Sequence, residues 1–485
     1  GIFVKTPGYQ GPTRVFHADL WGRRGEKYRY LGEQDVTTTQ WQELHPTPPL
    51  YLFKPRQTDL AEEYERGPRI TDIMPVNSVG IVTARDKLAI QWSSEDMLRT
   101  VRDFVSLPPE EARQRYNLGP DVRDWKVSLA QQDIRDHGVL RDRIVPVLYR
   151  PFDVRYTYYT GRSRGFICMP RPEVMGHMLR GENVGISSTR SIEIGRGFEH
   201  LFATRHIVQH HTVSIKEVNY LFPLYLYPEG GGAYSRADAI REAVRRVEAM
   251  GIASAAEVVR TQQEIPELVR SLFPREEYAR WPNFAPAFIA EVAKLTGLRF
   301  EPEGWWPNRP ESRTPGTFTP EDLLGWIYAV LHSPSYRTRY ADFLRSDFPR
   351  VPLPPDGDTF LQLADLGLQL IDLHTLRDPS LGHTQVGFPQ PGDNIVEAPR
   401  YDEQRQVVWI NRTQHFTQVP REAWEFHIGG YQVAEKWLKD RKGRRLSYEE
   451  IETYRRIIEA LRRTRDLMSR IDQVWVISPA PQAGG

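Results

Sequence analysis

Apolar and polar positions along this chain follow two different periods. Period two marks strands. Phe152, Val154, Tyr156 and Tyr158 alternate with polar residues, the pattern of a half-buried strand. Val79–Thr83, Leu50–Lys54, Asn183–Thr189, His206–Ile215, Tyr220–Tyr227 and Val407–Ile410 read as further strands, and residues 1–60 as strand-rich. Helical spacing begins at Ser93, where an S-x-x-D start leads into Leu98, Val101 and Val105. A second helix opens at Pro108-Pro109 with acids in its first turn. Later helices are expected over 237–250, 283–297, 336–345, 360–376 and 431–439. Two starts are especially explicit. Thr319-Pro-Glu-Asp322 sets a threonine cap, a proline and an acid ahead of Leu323–His332. Ser447 with Glu450 makes a capping box for Tyr448–Asp472. Gly230–Gly232 and the helix after it read as an insertion into a sheet domain, and residues 377–400 as a long loop. The mixture is α+β, without a fixed repeat.

Composition narrows the class. The 485 residues carry 64 basic and 63 acidic side chains, a formal charge of +1. The total alone argues against a basic nucleic-acid tail, but it is blind to local patches. No run approaches 18 apolar residues, so no membrane helix is expected, and a single cysteine, Cys168, excludes a disulfide framework. A cytoplasmic protein is the expectation. Arginine supplies 54 of the basic residues, a bias that codon usage explains and that bidentate phosphate or guanine contacts would also favour. Gly1-Ile-Phe-Val4 has no initiator methionine and reads like the middle of a strand, so a fragment of a longer polypeptide is expected.

Catalytic signatures are missing. There is no G-x-x-x-x-G-K-[ST] loop, no G-x-G-x-x-G between strand and helix, no G-x-S-x-G elbow and no Pro-Pro-aromatic base-holding loop. No catalytic residue and no cofactor are therefore expected within this chain. His206 and His210 stand four apart, but on a strand that places them roughly 13 Å from one another, with no acid as third ligand, and no metal site is expected.

Local charge carries more information. Residues 150–220 hold ten basic and six acidic side chains, and residues 436–470 hold twelve and six. In the first stretch, Tyr149–Phe166 interleaves aromatics with Arg150, Arg155, Arg162 and Arg164. Its Gly161-Arg-Ser-Arg-Gly165 segment is suited to a tight turn that presents two guanidiniums to phosphates or guanine edges. Arg171 and the pairs Thr189-Arg190 and Thr204-Arg205-His206 follow. In the second stretch, Lys439, Arg441, Lys442 and Arg444 form the densest run, where a solvated helix end is the simpler alternative. Arg155, Arg162, Ser163, Arg164, Arg171, Arg190, Arg205, His206, Lys439, Arg441, Lys442 and Arg444 are the candidate DNA contacts.

Several segments resemble one family. Tyr149-Arg-Pro-Phe-Asp, Asn219-Tyr-Leu-Phe-Pro-Leu-Tyr-Leu-Tyr227, Tyr328-Ala-Val-Leu-His-Ser-Pro-Ser-Tyr336 and Trp437-Leu-Lys-Asp-Arg-Lys-Gly443 are similar to the C-terminal specificity region of Type ISP restriction–modification enzymes. The resemblance implies a parent polypeptide with nuclease, ATPase and adenine-N6 methyltransferase regions, using S-adenosylmethionine, ATP and Mg2+. It implies methyltransferase strands at 1–60, a mainly helical coupler at 61–148 and a recognition domain at 149–400, with an inserted helix near 233–265. Residues 401–485 would complete that domain with a strand and a basic helical pair. Double-stranded DNA and the other regions of the parent are the implied partners. Alternatives are the intact enzyme, of which this chain is a cut, and a protein-interaction scaffold.

Overall fold

The computed structural model describes residues 3–5, 7–46, 51, 53, 58–193, 196–227, 280–305 and 313–475. The expected inserted helix lies outside these residues, as do Leu50, Leu52 and Lys54 of one expected strand. The chain divides into two compact units, Gly1–Arg66 and Gly67–Gly485.

In the first unit, Val15–His17 pairs antiparallel with Gln42–Leu44. Helices Arg24–Glu33 and Thr58–Glu65 replace much of the expected strand. The first of them has no buried residue, so no apolar stripe announces it in the sequence. Glu26 closes its first turn by accepting from the Arg23 N–H at 2.8 Å.

The second unit holds several small sheets, of which two contain Asp153–Tyr158 and Gly185–Thr189. A four-stranded antiparallel sheet runs Ser78–Val79, Asn219–Pro223, Gly185–Thr189, Leu201–Thr204. Its central strand Gly185–Thr189 is buried at every residue. A three-stranded sheet contains the hairpin of Ile144–Arg150 and Asp153–Tyr158, with Ile207–Val208 parallel to its first strand. A bulge at Leu148/Arg150 and a left-handed Phe152 (φ 60°) make the hairpin's turn. The expected strand over 206–215 shrinks to Ile207–Val208. Beyond it the chain folds back on itself, with the His211 N–H donating to Gln209 Oε1 at 2.7 Å and the Thr212 hydroxyl to the Gln209 carbonyl at 2.7 Å.

Three helices form the core beside the four-stranded sheet: Pro320–His332, Gly357–His374 and Tyr448–Val474. The caps at Thr319 and Ser447 close as capping boxes on Asp322 and Glu450. The expected helix over 336–345 is two short ones, Pro334–Arg339 and Ala341–Leu344, separated at Tyr340. Helix 320–332 is buried on all sides because it crosses helix 357–374 at backbone contact. A Cβ on Gly367 would sit 1.9 Å from the Gly325 carbonyl oxygen, and one on Gly325 would sit 2.4 Å from that of Ala364. Neither obstacle is a movable side chain, so Gly367→Ala must push the helices apart. The expected cost is on the order of 1–3 kcal/mol, read as a fall of the thermal melt followed by circular dichroism. An unchanged melt would mean that the two backbones have room to separate at no cost.

A hydrogen-bonded chain passes through this core. The Ala203 N–H donates to the Tyr328 hydroxyl at 2.9 Å, and Tyr328 in turn donates to His374 Nδ1 at 2.5 Å. His374 Nε2 then donates to Thr464 Oγ1 at 3.0 Å, and that hydroxyl donates to the Ala460 carbonyl at 2.8 Å. Each group has one role only if His374 is neutral. The network joins the sheet to all three helices.

Candidate nucleic-acid interface

The second hairpin strand, Asp153–Tyr158, leads directly into the Gly161–Gly165 segment. Phe166 anchors the far end of this loop. Its ring is buried against Phe104 and Tyr158, and its carbonyl accepts from Trp125 Nε1 at 3.1 Å. The near end is fixed by Tyr159, whose hydroxyl donates to the Pro170 carbonyl at 3.0 Å. The residues between are pushed outward. Gly161 and Arg164 both take left-handed backbone conformations, at φ 80° and 59°. Arg162 and Arg164 leave 43% and 65% of their side chains exposed, and Ser163 is exposed between them.

Further guanidiniums gather around this loop. Val82 and Met169 exchange backbone hydrogen bonds at 3.0 and 2.9 Å, which brings Arg85 beside it. Arg85 donates to the Pro120 carbonyl at 2.8 Å and lies 5.0 Å from the Trp125 ring centroid. Arg171 donates to Met169 Sδ at 3.3 Å, and its buried Nε has no partner. Arg123 is 86% exposed next to Asp124. Ala84 and Arg171 also hold left-handed backbones, at φ 59° and 55°. Strained non-glycine residues of this kind cluster at functional sites.

Five arginines thus share this surface: Arg85, Arg123, Arg162, Arg164 and Arg171. Among the described residues the acids that touch them are Asp124, paired with Arg123 at 2.7 Å and 3.6 Å from Arg164, and Asp136, paired with Arg162. Both carboxyls lie below the usual range, through hydrogen bonds from Arg123 and Arg162 respectively. Beneath the loop, burial pushes the thiol of Cys168 up from its ordinary value.

The C-terminal basic run is placed differently. Arg441 is 4% exposed and reaches inward to Asp153 at 3.0 Å and Glu450 at 3.1 Å. Arg155 meets the other oxygen of Asp153 at 2.7 Å. Trp92 lies under three guanidiniums, with Arg155 at 3.8 Å, Arg444 at 3.9 Å and Arg441 at 4.9 Å from its ring centroid. These arginines tie the hairpin to the C-terminal helices, and Arg444 is also bound to Glu450 at 3.2 Å. Lys439 is paired with Glu435 at 2.9 Å. Lys442 is exposed.

This placement revises the expectation for three residues. Arg155 and Arg441 spend donors on the buried carboxylate of Asp153. The His206 ring is half-buried and held neutral, its pKa pushed down to about 4 by desolvation. Arg190 and Arg205 remain at the surface, paired with Asp347 at 3.1 Å and Glu182 at 3.2 Å. His206 and His210 do not share a strand face, and the His210 ring lies tilted against that of His211, centroids 4.1 Å apart. Among the described residues no group of three or more His, Cys, Asp or Glu is placed to hold a metal ion. No described helix is long and apolar enough to cross a membrane. Sequence reasoning missed Arg85 and Arg123 as members of the loop surface. Their neighbours in sequence are ordinary surface charges, and only the Val82–Met169 pairing brings Arg85 to the loop.

Fold and surface together define a mixed α+β module that presents a strained, arginine-rich loop. Residues 72–470 match the family described as the Type ISP C-terminal specificity domain, and the chain belongs to that family. No curated protein matches the sequence. Among solved structures the chain is similar to the DrdV–DNA complex, with a TM-score of 0.60 and 17% identity over 95% of this chain and 43% of that one. It is similar to a nuclease-deletion mutant of the Type ISP restriction–modification enzyme LlaGI in complex with a DNA substrate mimic, with a TM-score of 0.57 and 17% identity over 92% of this chain and 38% of that one. It is also similar to the ATP-dependent Type ISP enzyme LlaBIII bound to DNA, with a TM-score of 0.58 and 14% identity over 92% and 26%. The chain spans less than half the length of each of these polypeptides.

Proposed function

We propose that this chain recognises duplex DNA as the specificity region of a restriction–modification enzyme. Membership of the specificity family supports the class. The observation that carries the reading is the loop surface, where, among the described residues, only Asp124 and Asp136 touch the five arginines and Asp133 lies buried beneath. Such an excess attracts phosphates, and arginine forks can also read guanine edges. Arg162 and Arg164 are the leading contacts, with Arg85, Arg123 and Arg171 beside them and Lys442 as a separate backbone contact.

Adenine-N6 methylation with S-adenosylmethionine, and ATP- and Mg2+-dependent cleavage, would belong to other regions of a parent polypeptide. The first unit supports this view. It exposes Phe3, Val4, Trp21, Tyr28, Leu31 and Val36, each by more than 60%, a surface of the kind that a further layer of a domain covers. The reading is that this unit forms the edge of a methyltransferase domain.

The test is equilibrium binding of a labelled duplex over a salt series. Binding is expected to weaken steeply with salt. The double variant Arg162→Ala/Arg164→Ala should lower the log–log slope by about 2, one for each phosphate that is no longer neutralised. A flat salt dependence in the parent chain would refute the proposal.

A further inference from the structure

The Arg162–Arg164 loop is held by a group that never reaches the surface. Asp133, on helix Val127–His137, has no exposed area. Its Oδ2 accepts from the Phe166 N–H at 2.8 Å, and both of its oxygens lie 3.0 Å from the Thr160 hydroxyl. His137 Nδ1 lies 3.0 Å from Oδ1. Thr160 and Phe166 are the residues immediately outside Gly161–Gly165, so one carboxylate grips both ends of the loop. Gly165 is part of the grip. A Cβ there would stand 2.2 Å from Asp133 Oδ2, so the carboxylate occupies the space a side chain would need. Thr160 Oγ1 also accepts from the Arg162 N–H at 3.2 Å, which passes the constraint to the first reading residue. One turn along the same helix, Asp136 pairs with the Arg162 guanidinium.

We infer that Asp133 is a positioning residue for DNA sequence discrimination, acting through Thr160 and Phe166 on Arg162 and Arg164. The inference rests on the reading of that loop as a DNA contact. Attraction to phosphates needs only charge near the duplex, whereas base discrimination needs the guanidiniums placed to within about half an ångström. Loosening the grip therefore lowers specificity and spares non-specific affinity. A purely structural residue would lower both together, in proportion to folded protein.

The experiment uses the full chain and two probes. One is a random-sequence duplex. The other is the sequence enriched from a duplex pool with randomised central positions. For Asp133→Asn and Gly165→Ala, preference for the enriched over the random duplex is expected to fall tenfold or more. Affinity for the random duplex should stay within about threefold. Thr160→Val should show the same loss and Thr160→Ser should restore preference, and this pair decides the matter if Asp133→Asn fails to fold. In the Arg162→Ala/Arg164→Ala background, Asp133→Asn should have no further effect. Preference unchanged in Asp133→Asn and Thr160→Val, or a loss that persists in the double-alanine background, overturns the positioning role. If Arg162→Ala/Arg164→Ala itself leaves both probes' affinities unchanged, the loop is not the DNA contact, and it is the underlying reading that fails.

Discussion

Asp153→Ala is expected to destabilise the second unit by about 3–5 kcal/mol. Asp153 is 1% exposed and lies between Arg155 and Arg441. Burial pushes its carboxyl up, but the charges of Arg441 and Arg155 outweigh this and hold it below the usual carboxylate range. Alanine would leave two guanidiniums in a low-dielectric site with only part of their compensation. Asp440 is 3.5 Å from Arg155, and Glu450 is shared between Arg441 and Arg444. Neither can take over both oxygens of Asp153. Lys442→Ala is the control. Its side chain is exposed, and the change should move stability by no more than about 0.5 kcal/mol. Urea titrations of both variants make the comparison. Equal midpoints would show that the arginines around Trp92 are not a structural unit.

Acid is expected to be at least as damaging. His200, His332 and His374 are buried, and desolvation is the main cause that holds each below its ordinary value. Their folded values are about 4 for His200 and about 3 for His374, and well below the ordinary 6.5 for His332. Below pH 6.5 the unfolded chain binds protons that the folded chain refuses, so stability falls as pH falls. Each histidine contributes a slope approaching about 1.4 kcal/mol per pH unit down to its folded value. By pH 5 the three together remove about 6 kcal/mol, before most carboxylates titrate. Thermal or urea melts between pH 8 and 5 should show this loss. His374→Gln, which removes one titrating ring from the Tyr328–Thr464 chain, should flatten the slope by about one proton. A stability profile that is flat from pH 8 to 5 would contradict the neutral, buried assignment.

Both effects arise from pairings that are distant in sequence. Arg441 and Asp153 are 288 residues apart, and His374 and Thr464 are 90 apart. Local patterns found much of the secondary structure. The Ser93, Thr319 and Ser447 caps stand where the S-x-x-D and capping-box spacings put them. A cap is settled within four residues, and backbone hydrogen bonding enforces it locally. The same reasoning failed where burial was decided elsewhere. Helix Arg24–Glu33 has no apolar stripe to announce it, and the strand expected over 206–215 ends at Val208 because a side-chain-bonded turn follows it.

The candidate interface divides along the same line. That Gly161-Arg-Ser-Arg-Gly165 forms a turn presenting two guanidiniums was legible from its residues, since glycine permits the left-handed backbone that a tight turn needs and the charged side chains between favour solvent. The family was legible too, through motifs spread over most of the chain. Which arginines face outward was decided by folding. A guanidinium is equally suited to a phosphate or to a buried carboxylate, and counting charges along the chain does not say which partner is within reach. Folding places Arg441 and Arg155 on Asp153, and brings Arg85 and Arg123 to the loop from outside the basic stretches. It also sets Asp133 beneath that loop, in the space left open by a glycine.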